Sequence, residues 1–236
     1  MRTTSHGPHL TALTRLRFSN AYFVREPDGL TLIDTSLRGS AGAIVAAARR
    51  VGEPIRRIVI THAHHDHAGA LEALVRRLPD VEVLVGERES ALLAGDFAQR
   101  SGEPRGRLRT YLYEHCDVKP TTLLSPGDRV GSLEVIDASG HTPGQIALLD
   151  TRDRTLICGD AFLTIGDPFV TTELVARFPF PALSGTWHAP TALETAERLC
   201  DLEPKRLATG HGRIVEMPTE VMREALRRAR RKKAWG

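Results

Sequence analysis

The sequence predicts a layered α/β sandwich, and three observations predict it. Apolar runs of strand length alternate with stretches of helical periodicity along the 236 residues. Hairpin signals lie among them, which favours layers of mixed sheet over an all-parallel one. Apolar residues make up 41% of the chain, enough for the sizeable core that such layers bury.

Taken in order, residues 20–24 and 30–34 read as two strands, and Pro27-Asp28-Gly29 turns the chain between them. Ile44, Ala47, Ala48 and Val51 recur at helical spacing, with Ser40 placed to cap that helix and Gly52-Glu53-Pro54 to end it. Residues 55–61 contain Ile58-Val59-Ile60, a short buried strand; Leu71, Leu74, Val75 and Leu78 then mark a helix. A strand over 81–85 and a helix over 87–93 follow. Residues 95–119 show no clean period, so a loop with some helix is expected there. Strands are expected over 133–138, 145–150 and 155–158, with a turn at Asp153. Pro190 opens a helix through Leu193, Ala196 and Cys200, and residues 205–209 form a last strand. Pro218 opens a terminal helix with Met222, Ala225, Leu226 and Ala229 on one face. No linker, low-complexity segment or short repeat interrupts the series, so one domain over 1–236 is expected, ending in a basic helix over 218–233.

Charge is unevenly spread. From Arg223 to Lys233 there are seven basic residues and one acid, a net +6 in a chain of net +3, so the rest carries −3. The basic balance therefore describes a tail, whereas a nucleic-acid enzyme more often carries positive charge around its site. Nucleic-acid binding through the tail is one alternative, and a solvated helix face is the plainer reading. Cys116, Cys158 and Cys200 form no C-x-x-C pair and no disulfide framework, which points to a reducing compartment. The first nine residues hold one arginine and no apolar stretch, unlike a signal peptide. No apolar run approaches the length of about 18 residues that a membrane span needs. A cytoplasmic protein working on a small molecule is expected, with neither a membrane nor a nucleic acid as partner; a homodimer is compatible with the sequence.

The chemistry concentrates in His62-Ala63-His64-His65-Asp66-His67, between the end of an expected strand and the start of a helix. His62 and His64 alternate in an extended segment, so their imidazoles project to one side. Imidazoles grouped with a carboxylate suit a borderline ion such as zinc; without a metal the rings repel one another once protonated. Three further residues follow apolar runs and sit beside glycine: His141 in Gly140-His141-Thr142-Pro143-Gly144, Asp160 in Gly159-Asp160, and His211 in Gly210-His211-Gly212. Glycine lets the backbone turn sharply and approach a site. A solvated histidine-rich loop and ordinary turn residues account for each piece alone, but not for all of them in this order.

In this order the residues resemble the metallo-β-lactamase superfamily, and within it the glyoxalase II-like hydrolases, from the strand at Asn20 to His211. The strand end Leu32-Ile33-Asp34-Thr35 resembles the family as well. The resemblance implies a four-layer αβ/βα sandwich of two mixed β-sheets, with the site at one edge between them. It implies that His62, His64 and His141 hold one metal ion, that Asp66, His67 and His211 hold a second, and that Asp160 bridges both. Asp34 takes the family's supporting position near the ligands, and His65 a variable position with no ligand role. Two divalent ions are implied, zinc foremost, with iron and manganese also fitting the mixed shell. Such a pair shares a water and lowers its pKa, so that a bridging hydroxide attacks a carbonyl carbon. Asp66 then passes the proton to the leaving group. The expected substrate is a small ester, thioester or lactone.

Asp160 stands where the commonest penicillin-hydrolysing members carry cysteine, which argues against a dedicated β-lactamase. The chain ends with one helix after His211, so the basic helical extension with which glyoxalase II enzymes hold glutathione is not expected. A single-iron persulfide dioxygenase shares much of the histidine pattern and is the enzymatic alternative. Substrate contacts are expected from Tyr111 or Tyr113, from an apolar wall of Phe162 and Trp187 with Phe169, Phe178 and Phe180, and from His188. Loop packing and surface exposure account for these last residues as well.

Overall fold

A computed structural model describes residues 1–173 and 185–233, with side chains to residue 231. Phe178 and Phe180 lie outside the described residues. The chain divides into two compact units, residues 1–96 with 111–125, and residues 97–110 with 126–236.

The first unit is built on a seven-stranded mixed sheet. Its order is β1 (Arg2–His6), β2 (Leu10–Arg15), β3 (Ser19–Glu26), β4 (Gly29–Ile33), β5 (Ile55–Ile60), β6 (Glu82–Gly86) and β7 (Thr122–Leu124). β1 to β4 form an antiparallel meander, and β4 to β7 run parallel. The expected hairpin is the β3–β4 pair, with Glu26 opposite Gly29. Leu32, Ile33, Ile58, Val59 and Ile60 have no exposed surface. A continuous apolar run of this kind belongs to a parallel strand covered on both faces. The β1–β2 hairpin lay outside the sequence reading. β1 is an edge strand of Arg, Thr, Ser and His whose mostly solvent-facing side chains show no apolar alternation.

Helix α1 (Ala41–Val51) buries Ala41, Ile44, Ala47 and Ala48. It stops at Gly52, whose left-handed backbone lets its N–H reach Ala48 O. Ser40 stands at the N-cap, but its side chain caps nothing: Oγ accepts from Arg15 Nη1 at 3.1 Å. Ser40 has helical backbone angles (φ −80°, ψ −20°) rather than the extended ones a capping side chain uses. Short helices α2 (His65–Ala68) and α3 (Leu71–Val75) follow β5, and α4 (Glu87–Leu93) follows β6. The aperiodic stretch 95–119 holds one 3-10 turn, Thr110–Leu112. Because β4, β5 and β6 are parallel, their C-terminal ends share one edge of the sheet. Asp34 follows β4, Thr61 and His62 follow β5, and Glu89 lies in the helix after β6.

The second unit carries a six-stranded mixed sheet in the order β15 (Val215–Glu216), β14 (Arg206–Ala208), β11 (Thr155–Ile157), β10 (Ile146–Asp150), β9 (Leu133–Asp137) and β8 (Arg129–Val130). β14 and β11 are parallel and the other pairs antiparallel. β12 (Phe162–Leu163) and β13 (Phe169–Val170) form a separate antiparallel pair. Helix α5 (Ala189–Asp201) has Pro190 in its first turn, as expected. Helix α6 (Thr219–Lys233) buries the expected face: Met222, Ala225, Leu226 and Ala229 share a core with Leu156, Phe162, Val170, Leu199 and Leu207.

Cys158 and Cys200 lie in that core, and burial pushes the Cys158 thiol up to about 12. Burial raises Cys200 and Cys116 too, so none of the three is poised as a thiolate nucleophile. No helix among the described residues is long and apolar enough to cross a membrane. The expected α/β class with two mixed sheets is the one the chain has.

Ile58 is a sharp probe of the first sheet because it has no exposed surface. Ile58→Ala is expected to cost about 2–5 kcal/mol in urea denaturation. A loss below about 1 kcal/mol, the range of Ile→Val changes, would show that this site collapses around the deletion.

Candidate metal centre

In the first unit the site grows from Asp34, the residue after β4. Asp34 has φ +59°, in the left-handed region that a non-glycine residue occupies at a cost. Its carboxylate explains why it stays there. Oδ1 accepts from Thr61 N at 2.8 Å, and Oδ2 accepts from Thr61 Oγ1 at 2.8 Å and lies 2.7 Å from His67 Nδ1. A carboxylate accepts only, so His67 Nδ1 carries the proton and Nε2 keeps its lone pair. The same logic fixes His62. Thr61 spends its single hydroxyl proton on Asp34, so at 3.1 Å from His62 Nδ1 it accepts, and again Nε2 holds the lone pair.

His62, His64 and His67 are buried, with ring centroids 4.8 Å apart for His62 and His64 and 3.9 Å for His62 and His67. Repulsion forbids that packing to a pair of imidazolium ions. Donor atoms of His62 and His64 lie within 4.8 Å of each other, as do those of His62 and His67 and of Asp66 and His67. Two ligand bonds of about 2.0–2.1 Å set a span of that order. Buried imidazoles held by Nδ1, with Nε2 as the donor and a carboxylate alongside, therefore fit a divalent ion. The loop is anchored beneath them: Ala63 N donates to Glu89 Oε2 at 2.7 Å, and Ser19 Oγ donates to Asp66 O at 3.0 Å.

In the second unit Asp160 Oδ2 lies 3.7 Å from His141 Nε2 and 3.2 Å from His211 Nε2. His141 Nδ1 faces two hydroxyls, Thr171 Oγ1 at 3.0 Å and Thr186 Oγ1 at 3.3 Å. The His211 carbonyl accepts from Thr164 N at 2.9 Å, Thr164 Oγ1 at 3.1 Å and Thr209 Oγ1 at 2.8 Å. Glycine beside each histidine has a steric reason. Gly140 (φ +132°) and Gly212 (φ +104°) are left-handed, and a Cβ would strike the Ala192 backbone at the first and the Thr164 carbonyl at the second.

The remaining residues singled out by sequence fall in different places. Tyr113 is buried with its ring 4.7 Å from that of His64, whereas the Tyr111 side chain is exposed and its carbonyl lies 2.8 Å from His65 Nε2. His65 Nδ1 lies 3.0 Å from Glu114 Oε2, which accounts for that histidine without a ligand role. Phe162 has no exposed surface and belongs to the core under α6. The backbone N–H of Trp187 donates to His141 O at 2.8 Å, and its indole packs against Gly106 so closely that a Cβ there would overlap it. His188 is the N-cap of α5, with Nδ1 2.8 Å from Thr191 Oγ1.

The sequence profile of the metallo-β-lactamase superfamily matches residues 14–211, from β2 to His211. The chain belongs to this superfamily. It is 42% identical to the Bacillus subtilis (strain 168) protein YobT over 233 residues, 98% of this chain and 100% of that one. The probable metallo-hydrolase YflN of the same organism is 32% identical over 218 residues, 84% of this chain and 81% of that one. Among solved structures, TTHA1623 in a di-iron-bound form aligns with a TM-score of 0.64 and 27% identity, covering 89% of this chain and 94% of that one. The metallo-β-lactamase fold binds metal ions, and the histidine and aspartate groups of this chain are its candidate ligands.

Several residues around these groups were missed by sequence reasoning: Thr61, Glu89, Glu114, Thr171 and Thr186. Thr61 had one signal, its place just before the histidine tract; the others had none. Glu114 joins Arg38, through Nε at 3.1 Å and through Nη2, to His65. Burial pulls the Glu114 carboxyl up, but the hydrogen bonds from Arg38 and His65 outweigh it and leave it below its ordinary value of 4.5. A carboxylate lowered on folding contributes stability that is complete above its unfolded value and lost as pH falls through the folded one. The stability gap between the wild type and Glu114→Gln is therefore expected to be full at pH 6 to 7, on the order of neutral pH, and to close below about pH 4.5. Urea midpoints of both proteins across that window measure it; a gap independent of pH would remove the ionic contribution.

Proposed function

We propose that the chain is a dinuclear metal-dependent hydrolase of a small ester, thioester or lactone. One observation carries the reading: His62 and His67 are held at Nδ1 by Thr61 and by Asp34, so that Nε2 is presented as a donor, and His141 is held at Nδ1 by the hydroxyls of Thr171 and Thr186. In this reading His62, His64 and His141 hold one ion, Asp66, His67 and His211 the other, and Asp160 holds both. The probable metallo-hydrolase YflN supports the reaction class, and the di-iron form of TTHA1623 supports a pair of ions. Zinc is the ion proposed first, with iron and manganese as alternatives.

Two bound divalent ions supply an activated water and an electrophile for the carbonyl oxygen. The chain's own residues do the rest. Asp160 neutralises part of the charge of the pair. Asp66, whose backbone carbonyl accepts from Ser19 Oγ, would take the proton of the attacking water and hand it to the leaving group. Tyr113, whose ring packs against that of His64, is the tyrosine we propose to meet substrate. Trp187 and His188 serve as supports, one tied to the His141 carbonyl and the other capping α5.

Protein purified without chelator should hold about two equivalents of metal per chain, by elemental analysis, and hydrolyse members of a panel of lactones, esters and thioesters. A single equivalent of iron with persulfide oxidation in place of hydrolysis would replace this reading with the dioxygenase one. Asp160→Asn keeps shape and removes charge, so metal content should drop and turnover fall by orders of magnitude. Normal turnover with full metal content would remove the bridging role.

Asp66 allows binding and proton transfer to be separated. Asn in its place keeps a weak carbonyl ligand but accepts no proton. Asp66→Asn titrated to full metal content should remain slow and depend more steeply on leaving-group pKa. Recovery of wild-type turnover on filling the sites would make Asp66 a ligand only.

A further inference from the structure

We propose that the basic C-terminal helix serves the metal centre, and that Arg228 is a positioning residue for His141. The proposal rests on the reading of His141 as a metal ligand. Most arginines of α6 pair locally at the surface: Arg223 with Glu220 at 2.7 Å and Glu203 at 3.1 Å, Arg227 with Glu224 at 2.8 Å, and Arg230 with Glu197 at 2.8 Å. Arg228 turns the other way. Its Nη2 donates to the Pro168 carbonyl, and its Nε lies 3.9 Å from Glu173 Oε2, on a carboxylate whose side chain is 3% exposed.

Pro168 and Glu173 bracket a short segment that contains β13. Glu173 closes it as a turn: its N–H donates to Val170 O at 2.9 Å, and its Oε1 accepts from Val170 N at 3.4 Å. Val170 has no exposed surface and shares the core of Met222, Ala225, Leu226 and Ala229. The helix therefore grips the segment twice, by apolar packing at Val170 and by one guanidinium reaching both ends. Inside the bracket is Thr171. Its N–H donates to Ala161 O at 3.3 Å, and its hydroxyl lies 3.0 Å from His141 Nδ1 and 3.1 Å from Thr186 Oγ1. Thr186 Oγ1 donates in turn to Thr171 O at 3.1 Å, which leaves its oxygen lone pairs for Nδ1–H. The aim of the His141 ring thus depends on where Thr171 sits, and Thr171 sits where Arg228 and Val170 hold it. Ligand rings must be held within roughly 10–20° of productive geometry, and outer partners that set this orientation bear on metal affinity.

The test compares full-length wild type with Arg228→Gln, Arg228→Lys, Thr171→Val and the surface control Arg231→Gln. Zn2+ affinity is measured by chelator competition, the Co2+-loaded proteins by visible absorption, and the metal-free proteins by thermal melting. Arg228→Gln and Thr171→Val should weaken Zn2+ binding about tenfold and shift the Co2+ bands. Arg228→Lys, which keeps a charge beside Glu173, should recover most of the affinity, and Arg231→Gln should match the wild type. An arginine that only stabilised the fold would lower the melting temperature and leave affinity and spectrum unmoved; that result overturns the proposal. If Arg228→Gln does not fold, Thr171→Val decides, because the link to His141 passes through that hydroxyl: wild-type affinity there overturns the proposal. A wild type that binds neither Zn2+ nor Co2+ overturns this inference together with the metal-centre reading. A wild type that binds while every variant matches it overturns the inference alone.

Discussion

The Asp34 carboxylate ties three parts of the first unit together, and the histidine tract is ordered through it. It sits at the end of β4, grips the end of β5 through Thr61, and fixes the ring of His67. The left-handed backbone it requires costs about 1–2 kcal/mol. Hydrogen bonds to a charged group are worth about 1.5–3 kcal/mol each, so the network outweighs the strain. Through Thr61 the same carboxylate decides which nitrogen of His62 carries the proton. One acidic side chain thereby selects the tautomer of two buried imidazoles, one by direct contact and one by relay.

Parallel pairing of β4, β5 and β6 is what allows this. Three strands ending on one edge present Asp34, Thr61 with His62, and Glu89 to the same stretch of loop. The second unit solves its own problem differently. Asp160 draws His141 and His211 to a single oxygen, Oδ2, while glycines 140 and 212 allow the backbone to pass close to Ala192 and Thr164. Rigid strands supply the positions in both units; the Asp34 carboxylate orients His67, and threonine hydroxyls meet Nδ1 of His62 and His141.

The strand and helix pattern was legible in the longer runs of one-sided or complete burial, β2 excepted, because periodicity records burial. It was silent for β1, whose side chains mostly face water, and for two-residue strands such as β12 and β13. Ligand-type residues were legible because histidine and aspartate next to glycine at strand ends are chemically conspicuous. Their supports were not. Glu89 has no exposed surface while Glu87, two residues earlier on the same helix, is exposed, and nothing local separates them. Glu114 meets Arg38 across 76 residues of chain, and Arg228 looks like any other member of a basic run. A support is defined by its partner, and the partner is far away in sequence. The expected cap at Ser40 failed for the same reason, since Arg15 claims its hydroxyl.

Ionic strength acts on the two kinds of arginine in α6 unequally. The pairs of Arg223, Arg227 and Arg231 join side chains that are each at least 43% exposed. At physiological salt the screening length is about 8 Å and shrinks to about 3 Å at 1 M, so those pairs fade in concentrated buffer. Arg228 faces a carboxylate that is 3% exposed, where mobile ions scarcely reach. Concentrated salt therefore weakens those surface pairs more than the contact of Arg228 with Glu173.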